Sequence, residues 1–466
     1  MSKNVKTNGK KRAKSLDKQT LTQLNTIKTL ITEDDSDGAW ELIQSLNNPH
    51  IYEGLLEDCP VDCSGFVGVP RYFLNKNQET NNEELLIGDL FIKILANLPK
   101  SARVRAALTP PTKLDMGISV GTEWIDALPM LPQLSGLKIW LLILKESDLR
   151  AFAQIPRLRE LNMSSCEIPD MKGLGSFSQL THLDLEECYV NDVSVLKDFT
   201  KLKELNLQQN KVTDVSALAG CKKLEKLNLT INEVKDVSPL AKLRKLKDLH
   251  LSCNQDLDLS SLSRMSHLEG LSLAHNQITD VKALAGLIQL KFLDLDCNEI
   301  TDVRHLANLT KLEELSIDCA GGGWEKDNEI TDVSALAGLK KLKVLSLLGN
   351  PIADVSPLAK LTKLQRLELT APELADARPL AGLNGLTDFC LNQSMLTDAN
   401  DFAKLTKLKK LHLGYNLRLA DVSALANLEH LTNLDLWDNP KLTKAQVDKL
   451  QKALPKCRIH FIPTKR

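Results

Sequence analysis

Cysteine and histidine side chains, which can bind metal ions, recur at a regular spacing in the sequence. Cys253, His275, Cys297 and Cys319 follow one another at intervals of 22 residues. Thiolate and imidazole groups are the preferred ligands of zinc. Residues on successive strands of a sheet lie about 4.8 Å apart, so this row would extend over roughly 14 Å. Because zinc–sulfur bonds are only about 2.3 Å long, we predict no metal site here.

The common catalytic motifs are absent from the sequence. It contains no G-x-x-x-x-G-K-[ST], no G-x-S-x-G, no H-E-x-x-H and no set of kinase motifs. Cys59 and Cys63 form a C-x3-C pair, but no second pair follows at the spacing of a zinc site. Aspartates such as Asp214 and Asp236 are expected to cap helical turns. We therefore predict that the chain is not an enzyme and takes no cofactor or metal.

A sequence repeat determines where all these residues lie. The pattern L-x-x-L-x-L, with Met, Ile or Phe in place of one leucine in three copies, occurs thirteen times, mostly at steps of 22 residues, after a divergent copy that begins at Leu134. The stretch 202–212 shows the unit in full, with Asn210 at its ninth position. Each L-x-L segment is predicted to form a short strand, and successive strands stack as a parallel sheet. Such units bury their apolar face only against their neighbours, which defines a solenoid.

The segments on both sides of the array are predicted to protect its ends. Leu24, Ile27 and Ile31 follow helical spacing, and so do Val447 and Leu450 near the other end. A cap is required because an end coil would otherwise expose its apolar edge and unpaired strand groups. We predict a disordered basic tail over 1–19, a helical N-terminal cap over 20–105, a junction over 106–133, about 14 repeats over 134–440 and a C-terminal cap over 441–466.

The repeat resembles the leucine-rich repeat of bacterial internalins across residues 134–440. The segment after the strand carries N-x-[IV]-x-D-[VL]-x-x-L-x-x-L, which is characteristic of that 22-residue unit. The resemblance implies an α/β solenoid, a leucine-rich-repeat horseshoe with a parallel concave sheet and helical caps. A similar unit occurs in the regulatory leucine-rich-repeat subunit of protein phosphatase 1, which would imply an intracellular scaffold.

The solvent-facing positions of the strands form the candidate binding surface. Alternation along a strand places the third, fifth and seventh positions of each repeat on the concave face, where acidic residues outnumber basic ones. An insertion near residues 320–327 also carries a tryptophan, and aromatic anchors dominate interface energies. The predicted partner-binding residues are Trp140, Asp184, Glu186, Asp248, His250, Phe292, Asp294, Asp296, Glu314, Asp318, Trp324, Val344, Leu348 and Trp437.

Charge and composition narrow the class of partner. An acidic groove with apolar anchors suits another protein with a basic or mixed surface and repels a phosphate backbone. The formal net charge is -1, so nucleic acid is an improbable partner for the whole chain. The sequence shows no signal peptide and no apolar run of membrane-spanning length, which predicts a cytoplasmic scaffold without membrane contact.

Two alternatives remain open from the sequence. A secreted or host-directed adhesion or effector protein of internalin type is one, and detection of the chain outside the cell would favour it. The other is nucleic-acid contact through the basic tail, where residues 1–20 hold seven lysines and arginines against one acid. That contact would be sensitive to salt and would be lost when residues 1–18 are deleted.

Overall fold

The computed structural model describes residues 18–32, 36–46, 51, 55, 74–76, 83–85, 113–116, 125, 128, 131–318 and 327–462. The predicted tail up to residue 17, Cys59, Cys63, Cys319 and Trp324 lie outside these described residues. The chain divides into two compact units: unit 1 is Met1–Val212 with Ser216–Leu224, and unit 2 is Thr213–Val215 with Glu225–Arg466. Sequence did not predict this division, because the period of 22 residues continues across it unchanged.

The N-terminal part of unit 1 contains the two expected helices. Helices α1 (Lys18–Thr32) and α2 (Ser36–Leu46) bury Leu24, Ile27 and Ile43. Strands β1 (Leu74–Lys76) and β2 (Glu83–Leu85) pair antiparallel. These two strands within the helical N-terminal cap were not predicted, because each is only three residues long, too short to show a period of two in the sequence.

Unit 1 continues with a parallel sheet. Its strands are β3 (Lys113–Asp115), β4 (Gly136–Lys138), β5 (Glu160–Asn162), β6 (His182–Asp184) and β7 (Glu204–Asn206). Strand β3 lies inside the predicted junction and pairs in register with β4. Helix α3 (Glu146–Ala153) and the 3-10 helices Met171–Ser176, Ser194–Asp198 and Ser216–Gly220 cover the opposite side of the repeats.

Unit 2 repeats the same arrangement with greater regularity. Its parallel strands are β8 (Lys226–Asn228), β9 (Asp248–His250), β10 (Gly270–Ser272), β11 (Phe292–Asp294), β12 (Glu314–Ser316), β13 (Val344–Leu347), β14 (Arg366–Thr370), β15 (Asp388–Asn392), β16 (Lys410–His412), β17 (Asn433–Asp435) and β18 (Arg458–His460). The 3-10 helices are Ser238–Lys242, Ser260–Arg264, Lys282–Leu284, Arg304–Leu306, Ser334–Gly338, Ser356–Lys360, Arg378–Gly382, Asn400–Lys404 and Ser423–Asn427.

The leucines of the repeat form the core. Leu246, Leu249 and Leu251 are all fully buried, as are their counterparts in the neighbouring repeats. Burying one leucine side chain stabilises the fold by roughly 1.5–3 kcal/mol, and this gain recurs with every repeat. Each repeat needs its neighbours to obtain that burial, so the core runs along each unit.

Polar residues fix the turns between strand and 3-10 helix. Asp236 Oδ1 accepts a hydrogen bond at 2.7 Å from the backbone N–H of Ser238, and Asp354 does the same at 2.8 Å for Ser356. The carboxylates thereby occupy free donors at the start of each helical turn, as predicted for capping residues. The pairs of serine and proline at 238–239 and 356–357 place proline in the first turn.

Asparagines at the ninth position form a buried ladder in unit 2. Asn254 Nδ2 donates to the carbonyls of Leu229 at 2.9 Å and Leu251 at 3.0 Å, and its backbone N–H donates to Asn276 Oδ1 at 2.6 Å. Asn276 repeats the pattern with Asn298. Each amide thus binds backbone groups of its own repeat and of an adjacent one, which explains why asparagine recurs at this position.

The C-terminal segment closes unit 2. Helix α4 (Lys444–Ala453) begins at a capping box formed by Thr443 and Gln446 and buries Val447 and Leu450. Strand β18 then adds to the edge of β17. The helix agrees with the helical spacing predicted for this cap. Among the described residues, no helix has the length and apolar character needed to cross a membrane.

Candidate functional site

Four of the acidic residues predicted to bind a partner lie on or just after the neighbouring strands β11 and β12 of unit 2. We number positions within a repeat from its first leucine and call one position in successive repeats a column. Columns three, five and seven form the solvent-facing side of the sheet, here called the sheet face. Parallel pairing places Phe292 beside Glu314 and Glu314 beside Val344 in column three. We call this region the acidic stretch: Phe292, Asp294, Asp296, Glu314, Asp318, Val344 and Leu348.

Serine hydroxyls and backbone N–H groups hold the carboxylates of the acidic stretch in place. Ser272 Oγ donates to Asp294 Oδ2 at 2.7 Å. Asp296 Oδ1 accepts from the backbone N–H of Asp318 at 2.6 Å. Asp318 in turn accepts from Ser346 Oγ and from the backbone N–H of Leu348, each at 2.7 Å. These neutral donors orient the oxygens and leave the negative charge in place.

Ser346 extends the network to the next strand. Its Oγ lies 2.7 Å from Asp318 Oδ2 and 3.0 Å from Glu368 Oε2, so one hydroxyl is shared by two carboxyl groups. Only 4% of Ser346 is exposed. One hydroxyl has only one proton to donate, so the two oxygens that flank it compete for the same hydrogen bond.

Partial burial opposes ionisation in this group. Desolvation raises the pKa of the Asp318 carboxyl to about 6, and the nearby negative charges of Asp296 and Glu368 act in the same direction. The pKa of Asp296 is raised as well, again chiefly by desolvation. A cation that approaches such carboxylates stabilises their ionised form.

Apolar side chains lie beside the carboxylates. Phe292 on β11 is 36% exposed. Val344 on β13 and Leu348, which directly follows β13, are half-buried. Glu314 is exposed between Phe292 and Val344. The acidic stretch therefore combines fixed negative charge with accessible apolar surface.

Three of the other predicted site residues belong to unit 1. Asp184 and Glu186 are in unit 1, where Asp184 Oδ2 accepts from Asn162 Nδ2 at 2.9 Å and Glu186 Oε1 accepts from Gln208 Nε2 at 3.0 Å. Desolvation raises the pKa of Asp184. Trp140 in unit 1 is 41% exposed. The predicted role of these three residues in partner binding stays a prediction.

Three further predicted residues belong to unit 2. Asp248 and His250 are on β9, and desolvation lowers the pKa of the His250 imidazole against the opposing influence of Asp248 and Asp294. Trp437 follows β17, where its ring meets that of Tyr415 at a centroid distance of 4.7 Å. Trp324 is not among the described residues, so its predicted role stays untested.

Some participating residues were not predicted from the sequence. Ser272, Ser346 and Glu368 complete the carboxylate network, and Tyr415 completes the aromatic pair. The sequence could have indicated Ser272, because it is a serine at column five that pairs directly with Asp294 on the next strand. Within the described residues, no group of three or more His, Cys, Asp or Glu side chains has the geometry to hold a metal ion.

Comparisons with known proteins agree with this architecture. The family model described as Leucine Rich repeats (2 copies) matches residues 200–242 and 266–308. An internalin (InlF) from Listeria monocytogenes is 25% identical, with 69% of this chain and 90% of that one aligned at a TM-score of 0.53. A leucine-rich-repeat protein from Leptospira interrogans is 24% identical over 83% of this chain and 99% of its own, with a TM-score of 0.67.

A third solved structure also contains thiols at repeated positions. The functional domain of InlJ from Listeria monocytogenes, which includes a cysteine ladder, is 22% identical over 66% of this chain and 68% of its own, with a TM-score of 0.51. No curated protein sequence gives a significant match.

Repeated buried leucines, asparagine-bonded turns and stacked parallel strands identify the chain as a leucine-rich-repeat protein. Such arrays present extended surfaces to other molecules, so the chain is a protein-interaction or adhesion module. More specifically, its 22-residue unit is similar to that of bacterial internalins.

Proposed function

We propose that the chain binds a protein partner through the acidic stretch of unit 2 and that the partner presents a basic or mixed surface there. The observation that carries this proposal is the hydrogen bonding of Asp318, whose two oxygens accept from Ser346 Oγ and from the Leu348 N–H. Both donors are neutral, so they fix the carboxylate without cancelling its charge.

The energetics of the acidic stretch favour a cationic partner. Asp318 and Asp296 are both held partly desolvated with pKa values above those of an ordinary carboxyl. A lysine or arginine placed beside them would relieve the like-charge repulsion in the free protein. Phe292, Val344 and Leu348 supply adjoining apolar contacts, and charge complementarity of this kind sets the association rate and the choice of partner.

A cytoplasmic scaffold is the form of this function that the sequence predicts. The likeness to internalins favours a second candidate, an adhesion or effector protein that acts outside the producing cell. Cell fractionation with detection of the chain would separate the two: recovery from the medium or the cell surface supports adhesion, and recovery from the cytosol supports the scaffold. The prediction that the chain is not an enzyme rests on the absence of catalytic motifs.

Charge reversal tests the binding site directly. Affinity capture from native extract would compare the intact chain with the triple variant Asp294→Lys/Asp296→Lys/Asp318→Lys. We expect a partner that the intact chain retains and the variant loses, because the reversed charges repel basic groups. Added salt should weaken capture by the intact chain.

Two further variants serve as controls. Asp198→Lys/Glu233→Lys/Glu429→Lys changes the net charge equally at exposed carboxylates off the sheet face, so it should retain the partner. Asp294→Asn/Asp296→Asn/Asp318→Asn preserves side-chain shape and should weaken capture without reversing charge. If the reversed-charge variant and its control capture the same partner equally well, the acidic stretch is not the binding site.

A further inference from the structure

Large exposed apolar side chains gather where the strands of unit 2 end, near its C-terminus. Tyr415 and Trp437 are 38% and 39% exposed, and their rings meet edge to face at an interplanar angle of 71°. Met395 and Leu417 are 37% and 59% exposed. We call this set the rim patch: Met395, Tyr415, Leu417 and Trp437.

Repeat geometry brings the members of the rim patch together. Met395 and Leu417 occupy column ten of adjacent repeats, and their strands pair in register, with Asp388 beside Lys410. The backbone N–H of Ser394 donates to Asn416 Oδ1 at 2.6 Å, so the two turns remain in contact beyond the strands. Asn416 points inward and is 1% exposed, which leaves its neighbours Tyr415 and Leu417 directed away from the core.

Backbone groups at this edge are already paired. Tyr415 has a positive φ of 57°, and its N–H donates to the carbonyl of Trp437 at 2.9 Å. The N–H of Leu419 donates to the carbonyl of Asn416. A partner that reaches the rim patch therefore binds to side chains and does not add a strand. Clustered exposed aromatic and aliphatic side chains of this kind mark interaction sites.

The charges next to the rim patch select the kind of partner. From β11 to β17, columns five and seven contain Asp294, Asp296, Asp318, Glu368 and Asp435 and no lysine or arginine. Asp435 stands two residues before Trp437, and its Oδ1 accepts from the Trp437 N–H at 3.0 Å and lies 3.2 Å from His460 Nδ1. A cation near Trp437 would meet both this carboxylate and the face of an indole ring, which attracts positive charge.

We infer that the rim patch is a docking surface for a segment of a partner protein in which apolar side chains adjoin lysine or arginine. The inference rests on the proposed protein-binding function and adds a second contact region to it. A stable interface buries about 800 Å² on each partner, more than these four side chains offer. The segment therefore also covers columns five and seven of the neighbouring repeats, which contain carboxylates and no lysine or arginine from β11 to β17.

Selection of random short peptides displayed on phage against the full chain tests this inference. We expect the selected peptides to carry lysine or arginine close to aromatic or aliphatic residues. Affinities of the synthesised peptides would then be measured by fluorescence anisotropy. Trp437→Ala and Leu417→Asp should each weaken binding by about tenfold or more, as is typical of a central anchor.

Matched variants make the result specific. Leu417→Asp changes the most exposed member of the rim patch, so it remains informative if Trp437→Ala disturbs folding. Tyr189→Ala removes an exposed tyrosine of unit 1, 70% accessible, and should leave the affinity unchanged. Selected peptides without basic residues, equal binding to Leu417→Asp, or no selected peptide at all would overturn the inference.

Two outcomes separate this inference from the proposed function. In the first outcome, Asp294→Lys/Asp296→Lys/Asp318→Lys loses peptide binding and the rim-patch variants keep it. This would support the proposed function and reject the rim patch as a docking surface. The reverse pattern would support the rim patch and reject the acidic stretch as the binding site. Light scattering tests whether a second copy of the chain covers the rim patch instead. An oligomer of the free chain that Leu417→Asp dissociates would show this and contradict the inference.

Discussion

Unit 2 contains two rows of polar side chains that cross the same repeats in different surroundings. The asparagine ladder of column nine is buried, with Asn276 at 2% exposure, whereas the carboxylates of the acidic stretch lie on the sheet face. Both rows connect adjacent strands through hydrogen bonds. One row is neutral and fully bonded, and the other carries charge that its neighbours do not cancel.

The contrast shows how a repeat separates stability from recognition. An amide offers donors and an acceptor together, so Asn276 can satisfy two carbonyls and one N–H in a buried turn. An ionised carboxylate only accepts, and stacking several of them raises the energy of the free protein. We expect mutations in the first row to destabilise the fold and mutations in the second to change binding.

The largest effect on stability is expected from Asn276→Ala. The change leaves the N–H of Asn254 without its present acceptor and removes one of the two amide donors to each of the Leu251 and Leu273 carbonyls. An unsatisfied buried group costs roughly 1–3 kcal/mol and the two lost donor bonds add to it, so we expect a loss of about 3 kcal/mol in the free energy of unfolding. Urea denaturation would measure it.

Asn433→Ala provides the matched comparison. Asn433 is an exposed asparagine on the sheet face, and its loss should change the free energy of unfolding by less than about 0.5 kcal/mol. Equal destabilisation by the two substitutions would remove the distinction between the rows.

The carboxylate row predicts a pH dependence of the opposite sign to that of an ion-paired acid. The pKa of Asp318 is about 6 in the folded protein, above its ordinary value of 3.8, so the folded state binds this proton more tightly. The contribution to stability is therefore complete below about pH 4 and is lost as the pH rises to about 6. Because Asp318 is partly exposed, we expect a loss of about 1 kcal/mol over this window.

Asp318→Asn isolates that contribution. An amide can keep the contact with Leu348 through its oxygen and donate to Ser346, whose hydroxyl already reaches Glu368. The variant should be more stable than the parent above pH 6, and the difference should vanish near pH 4. Urea midpoints across this range would show it; parallel pH curves for the two proteins would contradict the assignment to Asp318.

An effect on stability similar in size to that of Asp318 is expected from Ser346→Ala. Loss of the hydroxyl removes the hydrogen bond shared by Asp318 and Glu368, which should cost about 1 kcal/mol at neutral pH. The pKa of Asp318 should rise further, so the pH dependence would shift upward. Ser263→Ala, at an exposed serine that donates to the carbonyl of Ser260, should change neither quantity.

Sequence periodicity predicted the repeated elements because burial and spacing repeat together. The leucines of each L-x-x-L-x-L unit, the inward asparagines and the capping aspartates all lie where a period of 22 residues places them. The short strands β1 and β2 escaped prediction, since three residues carry too little pattern. Strand β3 was missed for the same reason, within a segment interrupted by prolines.

Column positions also identified the carboxylates of the acidic stretch, but they did not predict the hydrogen-bond partners of these carboxylates. The sequence placed Asp318 and Ser346 on neighbouring strands without showing that one serine hydroxyl lies between Asp318 and Glu368. Likewise, Tyr415 and Trp437 belong to different columns, and the sequence did not show that their rings meet.

The sequence by itself determined the class of fold, the residues of the core and the face on which charge accumulates. These follow from alternation along a strand and from a repeat that buries the same positions each time. Tertiary structure alone decided which carboxylates share a donor, how far Asp318 is desolvated and which apolar side chains meet at the rim. Such properties depend on distances between side chains of different repeats, and a one-dimensional pattern does not contain those distances.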